Sequence, residues 1–199
     1  MGLLSVKNVA RLYELWCLFA TIDAVSEALD DEPASVGALS KSAFALGVAE
    51  DSYGATWSSG VALVYNPRFK RSGVKARKSY SVPLRPDLGL WVPKGWPQQG
   101  LHLLDAKFRV NWLTDAGVDS DEDERQGKFK RADLYKMHTY RDALGARSCW
   151  VLYPGTHSRF FGTAAGAVAK ELDALPSEVS GVGAVRLGPA RSHRSSRGS

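Results

Sequence analysis

The stretch LLDAKFRV, residues 103–110, decides how the chain is read. Its apolar residues and its closing Phe108 and Val110 mark a β-strand. Asp105 and Lys107 interrupt it. Side chains two apart on a strand share a face, so this carboxylate and this ammonium sit side by side on an element that otherwise looks buried. A strand does not carry such a pair into a core without a reason.

Working outward, the chain has 199 residues, 44% hydrophobic and 24% charged. That is the composition of one globular domain with a real core. The formal net charge of +5 suits a polyanionic partner without requiring one. Cys17 and Cys149 each lie in an apolar run and read as buried free thiols of a reducing compartment. No apolar run approaches the ~20 residues that span a bilayer, and the N-terminus lacks a signal-peptide pattern. The expected location is the cytoplasm, with no membrane partner.

Residues 8–29 carry apolar positions at helical spacing almost all the way round, which predicts a largely buried helix ended by Asp30, Asp31, Glu32 and Pro33. Short strands are expected at 43–48, 60–65, 80–84, 88–92 and 101–110. WVPKGWPQQG, residues 91–100, reads as a hairpin loop, and the acidic DAGVDSDEDERQG, 115–127, as a mobile surface loop. A second helix is expected over 129–144, a buried strand over 148–154, a further helix over 164–175 and a last strand over 183–187. The domain is expected to span 1–189, followed by a basic disordered tail, 190–199. There is no internal repeat. The order predicts an α/β fold: a mixed central β-sheet flanked by helices, with antiparallel hairpins first and then a crossover helix leading to a parallel strand.

Three pieces carry chemistry: RPDLGLWV (85–92) with Asp87, LLDAKFRV with Asp105 and Lys107, and RLYELWCLF (11–19) with Glu14 inside the apolar helix. Carboxylates gathered in an apolar setting repel one another unless a cation lies among them. A hard divalent ion such as Mg²⁺ meets that need, taking carboxylate, water and phosphate oxygens. A lysine two residues beyond a metal carboxylate is then placed to stabilise charge on a phosphate. No Walker-type glycine loop, no serine-nucleophile elbow and no Cys/His cluster of zinc spacing is present.

Pro86-Asp87 followed eighteen residues later by Asp105-Ala106-Lys107 resembles the signature of the PD-(D/E)XK nuclease superfamily. RLYELWCLF, DAKF, KRADLYKMHTYRDAL, VLYPG and GVGAVRLGP together resemble one branch of it, similar to McrC, the nuclease subunit of McrBC-type modification-dependent restriction. The likeness runs over roughly residues 9–189. It implies a restriction-endonuclease-like core and a Mg²⁺-dependent endonuclease acting on DNA in restriction or defence, with Mn²⁺ able to substitute. Asp87, Asp105 and Glu14 would hold metal, with the Ala106 carbonyl as a further ligand, and Lys107 would be the catalytic lysine. RecB-like members carry Gln-x-x-x-Tyr on the second helix. This chain has Lys136 at the Gln position and keeps Tyr140, so Lys136 reads as a point charge suited to a phosphate.

Each piece also has a plainer reading. Asp87 after Pro86 is a common turn residue, Asp105 and Lys107 could pair on an exposed face, and Glu14 could pair with Arg11. Met137 and Tyr140 suit a core, and His138 a solvated helix position. The stretch RFKRSGVKARK, 68–78, holds six basic residues and no acidic one. It reads either as a solvated loop or as a phosphate grip through Lys70, Arg71, Lys75 and Arg77. The rival function is a nuclease-like subunit that binds DNA or activates a motor with little cleavage. The start of the chain close to the Glu14 helix points to an isolated nuclease domain or to specificity borrowed from a separate subunit. Cutting both strands of a duplex would call for a homodimer.

Overall fold

The computed structural model describes residues 6–39, 52–72, 78–108, 131–155, 158–163, 168–169 and 179–188. The chain opens with helix α1, Val6–Leu29. It ends in a Schellman cap: Asp31 N–H reaches the Ser26 carbonyl and Asp30 N–H the Glu27 carbonyl, with Asp30 at φ 49°. Among the described residues, nine strands follow in one sheet: β1 Ser35–Leu39, β2 Ser52–Thr56, β3 Ala62–Tyr65, β4 Leu88–Val92, β5 Gly100–Ala106, β6 Ser148–Tyr153, β7 Arg159–Gly162, β8 Val168–Ala169 and β9 Gly181–Arg186. Helix α2, Arg131–Leu144, lies between β5 and β6. Gly145 at φ 61° closes it with a second Schellman bond, Ala146 N–H to the Arg141 carbonyl.

The spatial order is β1-β2-β3-β4-β5-β6-β9-β7-β8. Neighbours from β1 to β5 are antiparallel. The pairs β5–β6 and β6–β9 are parallel. The sheet is therefore mixed, with antiparallel hairpins first and α2 as the crossover, as the pattern of elements predicts. Strand β6 is buried along its whole length, as a central parallel strand should be.

Two apolar clusters sandwich the sheet. One holds Leu103, Cys149, Val151 and Val182 with Met137 and Tyr140 of α2. The other holds Leu63, Leu88, Ala106 and Leu152 with Tyr13, Cys17, Leu18 and Ile22 of α1. Alternation along β5 sends Leu103 to the α2 side and Ala106 to the α1 side. Both cysteines are buried free thiols. Among the described residues, no helix is long and apolar enough to cross a membrane.

Two expectations need correction. Residues 80–84 form no strand; only Leu84 pairs, in an isolated bridge with Phe69. The donors there are spent elsewhere: Tyr80 N–H bonds the Ala143 carbonyl at the end of α2, and Pro83 has no N–H to give. Val168–Ala169, inside the expected helix 164–175, is instead strand β8, paired with Phe160 and Phe161 of β7. The strands β1, β2 and β7 carry no expectation at all from the sequence. They are short and Gly-bearing, and periodicity has little to work on. The expected strand 43–48, the loop 115–127 and the tail 190–199 lie outside the described residues.

Candidate active site

Hairpin register builds the site. In the β4–β5 pair Leu88 faces Leu104. One step further along both strands, Asp87 stands opposite Asp105. Residues directly opposite on an antiparallel pair have neighbouring side chains, so eighteen residues of separation become a side-by-side pair of carboxylates. The backbone locks this arrangement. Asn66, at φ 52° after β3, donates its N–H to the Asp87 carbonyl at 2.6 Å, and the Asp87 side chain accepts the Ala106 N–H at 2.7 Å.

Asp105 is 1% exposed. That rules out the exposed ion pair that the sequence alone allows. A carboxylate so buried needs cations, and it has two. Lys107 Nζ pairs with Oδ2, and Lys136 Nζ, reaching across from α2, lies 2.9 Å from Oδ1 and 3.2 Å from Oδ2. The Lys107 and Lys136 side chains are 25% and 40% exposed, so both ammonium groups also meet solvent. Tyr140, one turn beyond Lys136, lies under its ammonium at 5.1 Å and donates its hydroxyl to the Arg85 carbonyl at 3.2 Å. It thereby ties α2 to the segment that enters Asp87.

Among the described residues, no cation is ion-paired with Asp87. Burial, and then the Asp105 charge, raise its pKa from 3.8 to about 7; the Ala106 hydrogen bond and Lys107 pull the other way. Glu14 lies near enough for its charge to act on Asp87. Its carboxylate accepts the Tyr65 hydroxyl at 3.3 Å, and burial and the Glu14 charge raise that phenol. Burial pushes the neighbouring Cys17 thiol up to about 12, which keeps it neutral at physiological pH.

Among the described residues no three His, Cys, Asp or Glu side chains stand close enough to share a metal ion. The close carboxylate pair is Asp87 and Asp105, with Glu14 beside it and held by Tyr65. Two carboxylates, Asp87 half-buried and Asp105 buried beneath its lysines, fit a hard divalent cation, which completes its shell with water and phosphate. Burial first, and the Asp105 charge second, raise Asp87, and a cation placed between the two carboxylates would act against both.

The described residues thus bring together Asp87, Asp105, Lys107 and Lys136, with the Ala106 N–H on Asp87, Glu14 at the margin and Tyr140 as a brace. Lys70 and Arg71 are exposed on the arm between β3 and β4, where Lys70 bridges to Lys78. Lys75 and Arg77 lie outside the described residues. Met137 is wholly buried in the core under α2. The sequence offered no role for Tyr65 or Asn66. Asn66 before Pro67 carries a turn signal that marks where the chain leaves β3; Tyr65 carries none.

The family model of the PD-(D/E)XK nuclease superfamily matches residues 11–158, which takes in Glu14, Asp87, Asp105, Lys107 and Lys136. The chain belongs to the PD-(D/E)XK nuclease superfamily. Membership agrees with the mixed sheet flanked by helices and makes nuclease chemistry the activity to expect of the chain. No curated protein and no solved structure matches the chain.

Proposed function

We propose that the protein is a divalent-metal-dependent DNA endonuclease, with Asp87 and Asp105 as metal ligands and Lys107 as the catalytic lysine. The observation that carries this reading is the pairing of two carboxylates across the β4–β5 register, one buried against two lysines and the other raised toward neutrality. The Ala106 carbonyl is the further oxygen donor we assign, and Glu14, held by Tyr65 at the margin, would have to move inward to join it. Bound there, Mg²⁺ or Mn²⁺ would polarise the phosphate and make a nucleophile of water at neutral pH. Lys107, held on Asp105 yet open to solvent, neutralises charge that builds on the phosphate oxygens. Tyr140 holds the Arg85–Asp87 segment against α2. The basic arm with Lys70, Arg71, Lys75 and Arg77 supplies sequence-independent phosphate contacts.

Restriction or defence is the setting we assign. It rests on the likeness of KRADLYKMHTYRDAL, VLYPG and GVGAVRLGP to the McrC-type branch, in which a separate subunit supplies specificity and motor activity. Cytoplasmic location and a homodimer for double-strand cutting belong to the same reading.

The test is a plasmid-nicking assay in Mg²⁺, Mn²⁺ and EDTA, run on wild type, Asp105→Asn and Lys107→Ala. Cutting that needs metal and falls at least ~100-fold in both variants is the expected result. Cleavage that persists in Lys107→Ala removes that residue from the chemistry. Cleavage in EDTA removes the metal.

A further inference from the structure

Lys136 does more than neutralise Asp105. Two ammonium groups on one carboxylate give Asp105 a local charge of +1 where an incoming divalent cation needs a negative site. A metal ion and both lysines cannot share the same two oxygens, because like charges at contact distance repel strongly in a part-buried setting. One lysine has to leave. Lys107 sits two residues from Asp105 on the same backbone and is the less exposed of the two. Lys136 comes from a separate helix, covers both Asp105 oxygens and has the side chain more open to solvent.

We propose that Lys136 is a tethered stand-in for the catalytic cation: its ammonium occupies Asp105 in the metal-free protein and swings outward when a divalent ion binds. The inference rests on the Asp87–Asp105 metal reading above. It gives Lys136 two positions. Inward, it neutralises a buried carboxylate that would otherwise destabilise the empty fold. Outward, pivoting over the Tyr140 ring, it presents a free ammonium at the solvent edge of the site, where a nucleic-acid phosphate would pair with it. Ion binding and phosphate binding then favour each other, since each rewards the outward position, and the coupling is reciprocal. The intrinsic metal affinity is the part given up, because every ion must first displace the lysine.

The test is calorimetric titration of Ca²⁺ into metal-free wild type, Lys136→Met, Lys136→Arg and Asp105→Asn, with no substrate present. Lys136→Met should bind Ca²⁺ about tenfold more tightly than wild type, the equivalent of about 1.4 kcal/mol. The pair is partly solvent-screened, so a gain of a thousandfold is not expected. Lys136→Arg keeps the charge and should stay close to wild type, which separates charge displacement from a packing effect. Asp105→Asn should lose the site. Equal or weaker binding by Lys136→Met, while Asp105-dependent binding persists, overturns the stand-in and leaves the metal site standing. Ca²⁺ binding that ignores Asp105, or none in any variant, overturns both.

Discussion

Asp87→Asn should make the metal-free protein more stable, and only at the upper end of the pH range. The Asp87 carboxyl has its pKa raised from 3.8 to about 7 in the fold, by burial first and by Asp105 second. Between those two values the folded state holds a proton that the unfolded chain has already released. Stability is therefore complete below about 3.8 and is lost as pH rises through about 7. The gap of roughly 3 pH units corresponds to about 4 kcal/mol at 1.36 kcal/mol each; relaxation and sharing of charge with Asp105 reduce that to roughly 2–4 kcal/mol. Asparagine has nearly the same shape and keeps an oxygen to accept the Ala106 N–H, so the hydrogen bond at 2.7 Å survives while the charge goes. Guanidinium unfolding in EDTA, followed by tryptophan fluorescence, should show the variant ahead by roughly 2–4 kcal/mol at pH 8 and level with wild type at pH 4. For a domain of this size that is a Tm difference of roughly 5–15 °C. His102, whose pKa burial lowers, destabilises the fold as pH falls below its ordinary value of 6.5, but equally in both proteins, so it cancels in the difference. Excess Mg²⁺ at pH 8 should reverse the order by stabilising only the chain with both ligands. A variant less stable than wild type at pH 8 in EDTA, or a difference that ignores pH, would refute the reasoning.

Two other outcomes follow from the geometry. Replacing Lys70, Arg71, Lys75 and Arg77 by Gln should lower the log–log salt slope of duplex binding by about 2–4, near 0.9 per lost phosphate contact; an unchanged slope means the arm faces away from DNA. Gly183→Ala should cost about 1–3 kcal/mol in chemical denaturation. A Cβ at Gly183 would meet Trp150 ring carbons at 2.6 and 2.7 Å and the Arg159 carbonyl at 2.8 Å, and Trp150 is itself stacked on Phe160 at 4.8 Å. An unmoved midpoint would show that Trp150 and the Arg159 strand yield.

The elements with strong periodicity were readable in advance. Helix α1 and strands β3, β4 and β6 fall where apolar pattern and turn residues put them, because burial on a fixed face writes itself into the spacing; β5 ends at Ala106, so Lys107 lies just past the strand expected to run to 110. Strand β9 likewise begins only two residues earlier than expected. Strands β1, β2 and β7 were not readable, since SVGAL, SYGAT and RFFG are short and Gly-bearing and give periodicity little to work on. At the site, Asp87, Asp105 and Lys107 were visible as a signature. The second cation on Asp105 was not: Lys136 is thirty-one residues away, and only the fold of α2 over β5 brings it within 2.9 Å. The same holds for the chain of hydrogen bonds from Trp150 Nε1 to Ser148 Oγ and from there to His102, whose Nε2 meets the Gln98 carbonyl. With Nε2–H donating to that carbonyl, Nδ1 accepts from Ser148, and a Ser–His pair with the look of a nucleophile is a satisfied core network at the other end of β5 from Asp105.

The β4–β5 hairpin has its carboxylates at one end and its turn at the other. Gln98 and Gln99 are anchored, through Val179 N–H, Arg147 and His102, but Lys94, Gly95, Trp96 and Pro97 are exposed at the tip. Extra residues inserted at that tip would leave the Leu88–Leu104 register alone and keep Asp87 facing Asp105. The eighteen-residue interval is thus a property of this turn and not of the chemistry. The tip is also the place to graft a fluorophore, an affinity tag or a DNA-reading module without disturbing the cutting centre.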